Sequence, residues 1–118
     1  MQTSYARRQA LVLDDEYLIA VEVEAILADA GYEVLSAVTV AEARDFVSGN
    51  PVHVAVLDFR MEQAAHDLAH HLRNQGVPVI FCTGALADEV HTVFPDAPVV
   101  SKPFEATTLL SVVTTVLD

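Results

Sequence analysis

Asp58 stands at the end of a short apolar run, Val54-Ala55-Val56-Leu57, and is followed by Phe59-Arg60-Met61. A run of this kind, rich in Val and Leu, reads as a strand buried on both faces. A carboxylate at its end lies where the sheet stops and a loop begins. A lone Asp in that position is most simply the cap of the next helix. Here other apolar runs also stop at polar groups: Asp14 and Asp15 follow Leu11-Val12-Leu13, Thr83 and Gly84 follow Phe81-Cys82, and Lys102 comes shortly after Val99-Val100. Three carboxylates on one edge repel one another unless a cation compensates them. Hard oxygen ligands suit Mg²⁺, which takes one or two carboxylates together with waters and phosphate oxygens. Lys102 is a point charge suited to a phosphate or a carboxylate. Thr83 supplies a hydroxyl, Gly84 lets a ligand approach the backbone closely, and the N–H groups of Phe59 and Gly84 can face an anion. A carboxylate can attack phosphorus to give an aspartyl-phosphate, while metal and ammonium offset charge on the transferring group. A plain salt bridge from Lys102 to one Asp explains each residue taken alone. The four strand ends taken together, in this order, favour the phosphoryl acceptor.

These residues need a scaffold that brings strand ends together. Strands are expected at residues 10–13, 33–37, 53–57, 77–82 and 99–100. Helices are expected at about 17–30, 39–48, 64–74, 86–93 and 105–117. Ile19, Val23, Ile26 and Ala30 recur at helical spacing in the first helix, whose acidic start suits the positive end of the helix dipole. Gly31 and Gly76 stand where helices stop. Thr39-Val40-Ala41-Glu42 is a capping box, and Ala65, Leu68 and Leu72 give the third helix an inward stripe. The Thr and Val content of the last helix favours strand locally. Even so, Leu110, Val113, Val116 and Leu117 keep a helical spacing. Five strands alternating with five helices give a parallel sheet covered on both faces, and right-handed crossovers leave few topologies. Asp14, Asp15, Asp58, Thr83 and Lys102 then share the carboxyl edge, where α/β sheets bind ligands.

Composition narrows the function classes. One domain is expected over residues 1–118, with its core at about 9–117. Seventeen Asp+Glu against six Lys+Arg give a net charge of −11, which repels nucleic acid phosphate and suits cations or basic partner surfaces. No apolar stretch is long enough for a membrane span, and the polar residues 1–9 lack a signal-peptide core. The single cysteine, Cys82, makes no internal disulfide and reads as a small core residue. A cytoplasmic location is expected.

Leu11-Val12-Leu13-Asp14-Asp15-Glu16, Val56-Leu57-Asp58-Phe59-Arg60-Met61, Phe81-Cys82-Thr83-Gly84 and Ser101-Lys102-Pro103-Phe104, in that order, resemble the receiver domain of two-component response regulators. The resemblance spans nearly the whole chain. It implies a flavodoxin-like fold with strand order 2-1-3-4-5 and Asp58 as the phosphoacceptor. Mg²⁺ would be held by Asp15, Asp58 and the backbone carbonyl of Arg60, with Asp14 completing the acidic pair. Thr83 and Lys102 would contact the phosphoryl group, and the Lys102–Pro103 bond would be cis. The expected partners are a histidine kinase or histidine phosphotransfer protein and an unidentified downstream protein. The expected state is a stand-alone monomer or weak dimer.

The departures from the family pattern are specific. The loop after Asp58 usually reads Met-Pro-x-x-(Asp)-Gly, and here it is Met61-Glu62-Gln63-Ala64-Ala65-His66. Val99 stands where the fifth strand usually carries an aromatic, so the familiar Thr–aromatic coupling cannot operate unchanged. Pro78-Val79-Ile80-Phe81-Cys82-Thr83-Gly84 resembles a subgroup with a Pro-Phe-x-Phe-Ala-Thr-Gly-Tyr signature, departing at Val79 and Ala85. His66 and His70, four apart and beside His71, read as a polar helix face rather than a metal site. His53, His91, Tyr17 and Tyr32 read as structural, and Glu16 as a helix-start acid rather than one that tunes the metal. Two other classes compete with the phosphoacceptor. One is an unphosphorylated interaction module of the same fold. The other is a Mg²⁺-dependent phosphohydrolase, which would need an acid where this chain has Arg60.

Overall fold

The computed structural model describes residues 7–118, so most of the polar N-terminal segment read from the sequence lies outside the described residues. Ten elements alternate in chain order: β1 Gln9–Leu13, α1 Tyr17–Asp29, β2 Glu33–Ala37, α2 Val40–Gly49, β3 Val54–Leu57, α3 Gln63–Asn74, β4 Val79–Thr83, α4 Ala87–Val93, β5 Val99–Ser101 and α5 Ala106–Leu117. The strands form one parallel sheet of order β2-β1-β3-β4-β5, the flavodoxin-like order expected from the resemblance. No helix among the described residues is long and apolar enough to cross a membrane.

Alternation along each strand divides the core in two. Leu11, Leu13, Ala55, Leu57, Val79 and Phe81 point toward α2, α3 and α4. Ala10, Val12, Val54, Val56, Ile80 and Cys82 point toward α1 and α5. Because both faces are covered, the central strands β1, β3 and β4 are apolar throughout except at the end residues Gln9 and Thr83, as a two-sided parallel sheet requires.

The local chemistry explains most element ends. Gly31 and Gly76 both adopt positive φ, 100° and 82°. After each, the next N–H reaches back to the helix: Tyr32 to the Leu27 carbonyl and Val77 to the Leu72 carbonyl, both at 3.0–3.1 Å. This is the left-handed stop that glycine permits. The bond also claims Val77 for α3, and Pro78 has no N–H to give, so β4 begins at Val79 rather than 77. At α2 the Thr39 side chain accepts the Glu42 N–H at 3.2 Å, while Glu42 reaches back to the Val38 N–H at 3.1 Å, one residue outside a standard box.

The inward faces of two helices are rotated slightly from the spacing read in the sequence. In α1 the fully buried residues are Ala20, Val23 and Leu27, with Ile19 and Ile26 at the margins and Ala30 exposed. In α5 they are Leu109 and Val113, with Leu110, Val116 and Leu117 partly buried. Burial of that stripe overrides the local strand preference of its Thr and Val residues.

Candidate functional site

Asp14, Asp58 and Lys102 sit one position beyond their strands, and each backbone is tied to a neighbouring strand. The Asp14 N–H donates to the Ala37 carbonyl at 3.1 Å, Asp58 to Leu13 at 3.0 Å, and Lys102 to Thr83 at 2.9 Å. The ladder therefore continues just far enough to fix where the three side chains start. The Lys102–Pro103 bond is cis.

Each polar strand end also folds its side chain back onto the chain. Asp14 Oδ1 accepts the Glu16 N–H at 2.9 Å, Asp58 Oδ1 accepts the Arg60 N–H at 3.1 Å, and Thr83 Oγ1 accepts the Ala85 N–H at 3.2 Å. These are the two-residue turns that short polar side chains form with their own backbone. They commit one oxygen of each carboxylate and aim the other. The free oxygens meet Lys102, whose Nζ lies 2.7 Å from Asp14 Oδ2, 2.9 Å from Glu16 Oε1 and 3.2 Å from Asp58 Oδ2. The three donors of the ammonium are all engaged. Because Thr83 Oγ1 accepts from Ala85, its hydroxyl proton remains available to a ligand. The backbone N–H groups of Phe59 and Gly84 donate to no described residue, and the Arg60 carbonyl accepts from none.

Three acids around one base leave this corner net negative. Asp14 and Asp58 are buried, 3% and 5% exposed. Burial pushes the Asp14 carboxyl above the ordinary Asp value, against the lowering effect of its hydrogen bonds from Lys102 and the Glu16 N–H. Burial works in the opposite direction on Lys102, but its hydrogen bonds to Asp14 and Glu16 and the charge of Asp58 prevail and raise its pKa. Asp14, Glu16 and Asp58 place one oxygen each within 4.8 Å of one another. This all-oxygen, acidic set fits a hard divalent cation such as Mg²⁺.

The structure thus brings together Asp14, Asp58 and Lys102, with Thr83 at the neighbouring strand end. Asp15 is exposed and makes no hydrogen bond or ion pair among the described residues. Its neighbour Glu16 turns in to Lys102 instead, a role its place at a helix start did not reveal. Glu16 is the residue before α1 and gives that helix no side-chain cap. Arg60 is exposed and its guanidinium pairs with Glu89 of α4 at 3.2 Å. Val99 is partly buried against the α3–α4 side of the core. The histidines resolve individually. Nδ1 of His53 accepts the Gln9 N–H at 2.9 Å, and His91 Nε2 bonds the Ala97 carbonyl at 2.8 Å. His66 and His70 stack on phenylalanine rings.

Comparison with known proteins points the same way. A search of curated proteins found no match. Among solved structures, chemotaxis protein CheY4 of Vibrio cholerae is 28% identical with a TM-score of 0.84, covering 95% of this chain and 100% of its own. SdrG of Sphingomonas melonis Fr1 is 30% identical with a TM-score of 0.79, covering 98% and 100%. Response regulator TrrA of Thermotoga maritima, solved in complex with Mg²⁺–BeF, is 27% identical with a TM-score of 0.79, covering 93% and 99%. The family profile described as the response regulator receiver domain matches residues 10–114. With that match spanning nearly the whole sheet and its acidic corner, the chain belongs to the response regulator receiver domain family.

Proposed function

We propose that the chain accepts a phosphoryl group on Asp58 from a phosphohistidine of a kinase or phosphotransfer protein, with Mg²⁺, and presents a changed surface to a partner protein. The observation that carries this reading is the meeting of a buried Asp58 with Lys102 at 3.2 Å at the carboxyl edge of the sheet. Asp58 Oδ forms a bond to phosphorus as the P–N bond of the donor breaks, and the electron pair leaves on the imidazole nitrogen. A Mg²⁺ held by the acidic corner of Asp14, Glu16 and Asp58 would supply charge neutralisation for the transferring group. Lys102 holds an ammonium beside the acceptor oxygen. The Thr83 hydroxyl and the N–H groups of Phe59 and Gly84 are free to donate to phosphoryl oxygens. The Mg²⁺–BeF complex of the response regulator TrrA supports a Mg²⁺ at this edge of the fold. In this reading the domain catalyses its own phosphorylation and dephosphorylation, in the cytoplasm.

Incubation with acetyl phosphate and Mg²⁺, followed by intact mass measurement, tests it. One added phosphoryl group that is absent in Asp58→Ala is the expected result. No adduct and no phosphate release would instead leave an unphosphorylated interaction module. Multiple turnovers on varied phosphate esters would indicate a phosphohydrolase.

A further inference from the structure

The segment after Asp58 has neither the Pro nor the Gly of the family pattern, and His66 stands in the Gly position. The structure shows what this histidine does. The Phe59 carbonyl accepts two hydrogen bonds, one from the Met61 N–H at 2.9 Å, which closes a three-residue turn about Arg60. The other comes from His66 Nε2 at 2.8 Å. A carbonyl only accepts, so Nε2 carries the proton. The His66 ring also lies flat on the Phe59 ring, centroids 4.6 Å apart and planes 25° apart. Phe59 in turn meets Phe81 and Phe94 edge-on at 5.7 and 6.4 Å. His66 therefore grips both the ring and the carbonyl of the residue next to the acceptor, from a well-packed base.

The Phe59 carbonyl and the Arg60 N–H are the two ends of one planar peptide group. In a trans peptide they point in opposite directions. One end is held by His66 and the other donates to Asp58 Oδ1 at 3.1 Å. From this geometry we infer that His66 is a positioning residue for Asp58, acting through the 59–60 peptide plane in a loop that lacks the Pro and Gly of the family pattern. Its consequence for phosphorylation rests on the function proposed above; the brace itself does not.

Two substitutions separate the hydrogen bond from the stack. His66→Phe keeps an aromatic on Phe59 and removes the donor. His66→Gln keeps a donor at about the reach of Nε2 and removes the ring. In His66→Phe the Arg60 amide exchanges with solvent about tenfold faster, the effect of losing about one hydrogen bond. The rate of phosphoryl uptake from saturating acetyl phosphate falls by about tenfold, as misplacement of a reacting group predicts. His66→Gln recovers most of both while the unfolding midpoints stay close to that of the unmodified protein. If His66→Phe fails to fold, the pair His66→Gln and His66→Asn makes the same comparison, since the Asn amide is too short to reach the carbonyl. Unchanged Arg60 exchange in His66→Phe overturns the inference, and so does a loss that His66→Gln shares in full. An unmodified protein that takes up no phosphoryl group would sink the functional reading alone, because exchange at Arg60 still decides the brace.

Discussion

Asp58 is supported on two sides by different means. Toward β1 and β5 the support is charge: Asp14, Glu16 and Lys102, with contacts of 2.7–3.2 Å. Toward α3 and α4 it is rings: Phe59, His66, Phe81 and Phe94, with His70 stacked on Phe94 at 4.4 Å and the Arg73 guanidinium 5.6 Å from the same ring. The charged side repeats the family pattern at Asp14, Asp58, Thr83 and Lys102. The ring side departs from it at Glu62, His66 and Val99. The difference follows from what each side must deliver. An ion cluster needs particular atoms at ion-pair distance, which few side chains can provide. A loop support needs only a filled volume and a satisfied peptide group, which many side chains can provide.

The largest expected effect tests whether the two supports are separable. Phe94 is 1% exposed and touches Phe59, Phe81, His66 and His70. Phe94→Ala is expected to cost about 4 kcal/mol, from lost burial plus the cavity left behind, read as a drop in the urea midpoint. Magnesium affinity of the remaining folded protein, measured by calorimetry, should change little. A loss of affinity as large as that of Asp58→Ala would show that rings and charges form one unit.

The same contrast governs what the sequence discloses. All ten elements were legible, even α5, because apolar spacing on one stripe outlasts unfavourable Thr and Val preferences. Asp14, Asp58, Thr83 and Lys102 were legible because an apolar run that stops at a polar group announces a strand end. Glu16 was not, since an acid before a helix looks like a partner for the helix dipole, and only the turn at Asp14 shows that it swings to Lys102. His66 was not, because its partner is a backbone carbonyl seven residues earlier, brought near only when α3 folds back on β3. A helical His pattern carries no trace of that bond.

Lys102→Ala strikes the charged side. It leaves Asp14 and Asp58 buried beside each other without a cation, a loss of about 3 kcal/mol for an interrupted buried ion cluster. Added Mg²⁺ should restore stability more in this variant than in the unmodified protein, because the metal then takes over the missing positive charge. Equal stabilisation of the two proteins in thermal melts would mean that the carboxylates do not share one ion. On the proposed function, phosphoryl uptake should remain low even with saturating Mg²⁺, since the ammonium beside the Asp58 oxygen is gone.

Glu16→Gln probes the rim of the same cluster. The Glu16 side chain is 62% exposed, so solvent screens its pair with Lys102 and the stability change should stay within about 0.5 kcal/mol. The readout that matters is the magnesium titration. If Glu16 belongs with Asp14 and Asp58, affinity falls by about threefold, the scale of one partly screened charge. An unchanged titration would confine the metal-facing acids to the buried pair.

The effect smallest at neutral pH concerns Cys82, on the α1–α5 face of β4 beneath the acidic corner. Burial first, then the nearby Asp14 and Asp58 charges, push its thiol from 9.0 up to about 12, with Lys102 pulling the other way. The unfolded chain releases this proton near 9.0 and the folded chain holds it to about 12. The native state therefore binds more protons across that interval, and stability falls as pH rises through it. Lys102 acts with the same sign but only above its unfolded value of 10.5. Its contribution is fully present below that value and is lost as pH climbs toward its raised folded value. Urea midpoints taken between pH 9 and 10.5 thus isolate the thiol, and those taken above include the ammonium. Cys82→Ala should flatten the lower interval and leave the upper slope in place. A lower slope that survives Cys82→Ala would assign the alkaline loss to the charged corner alone.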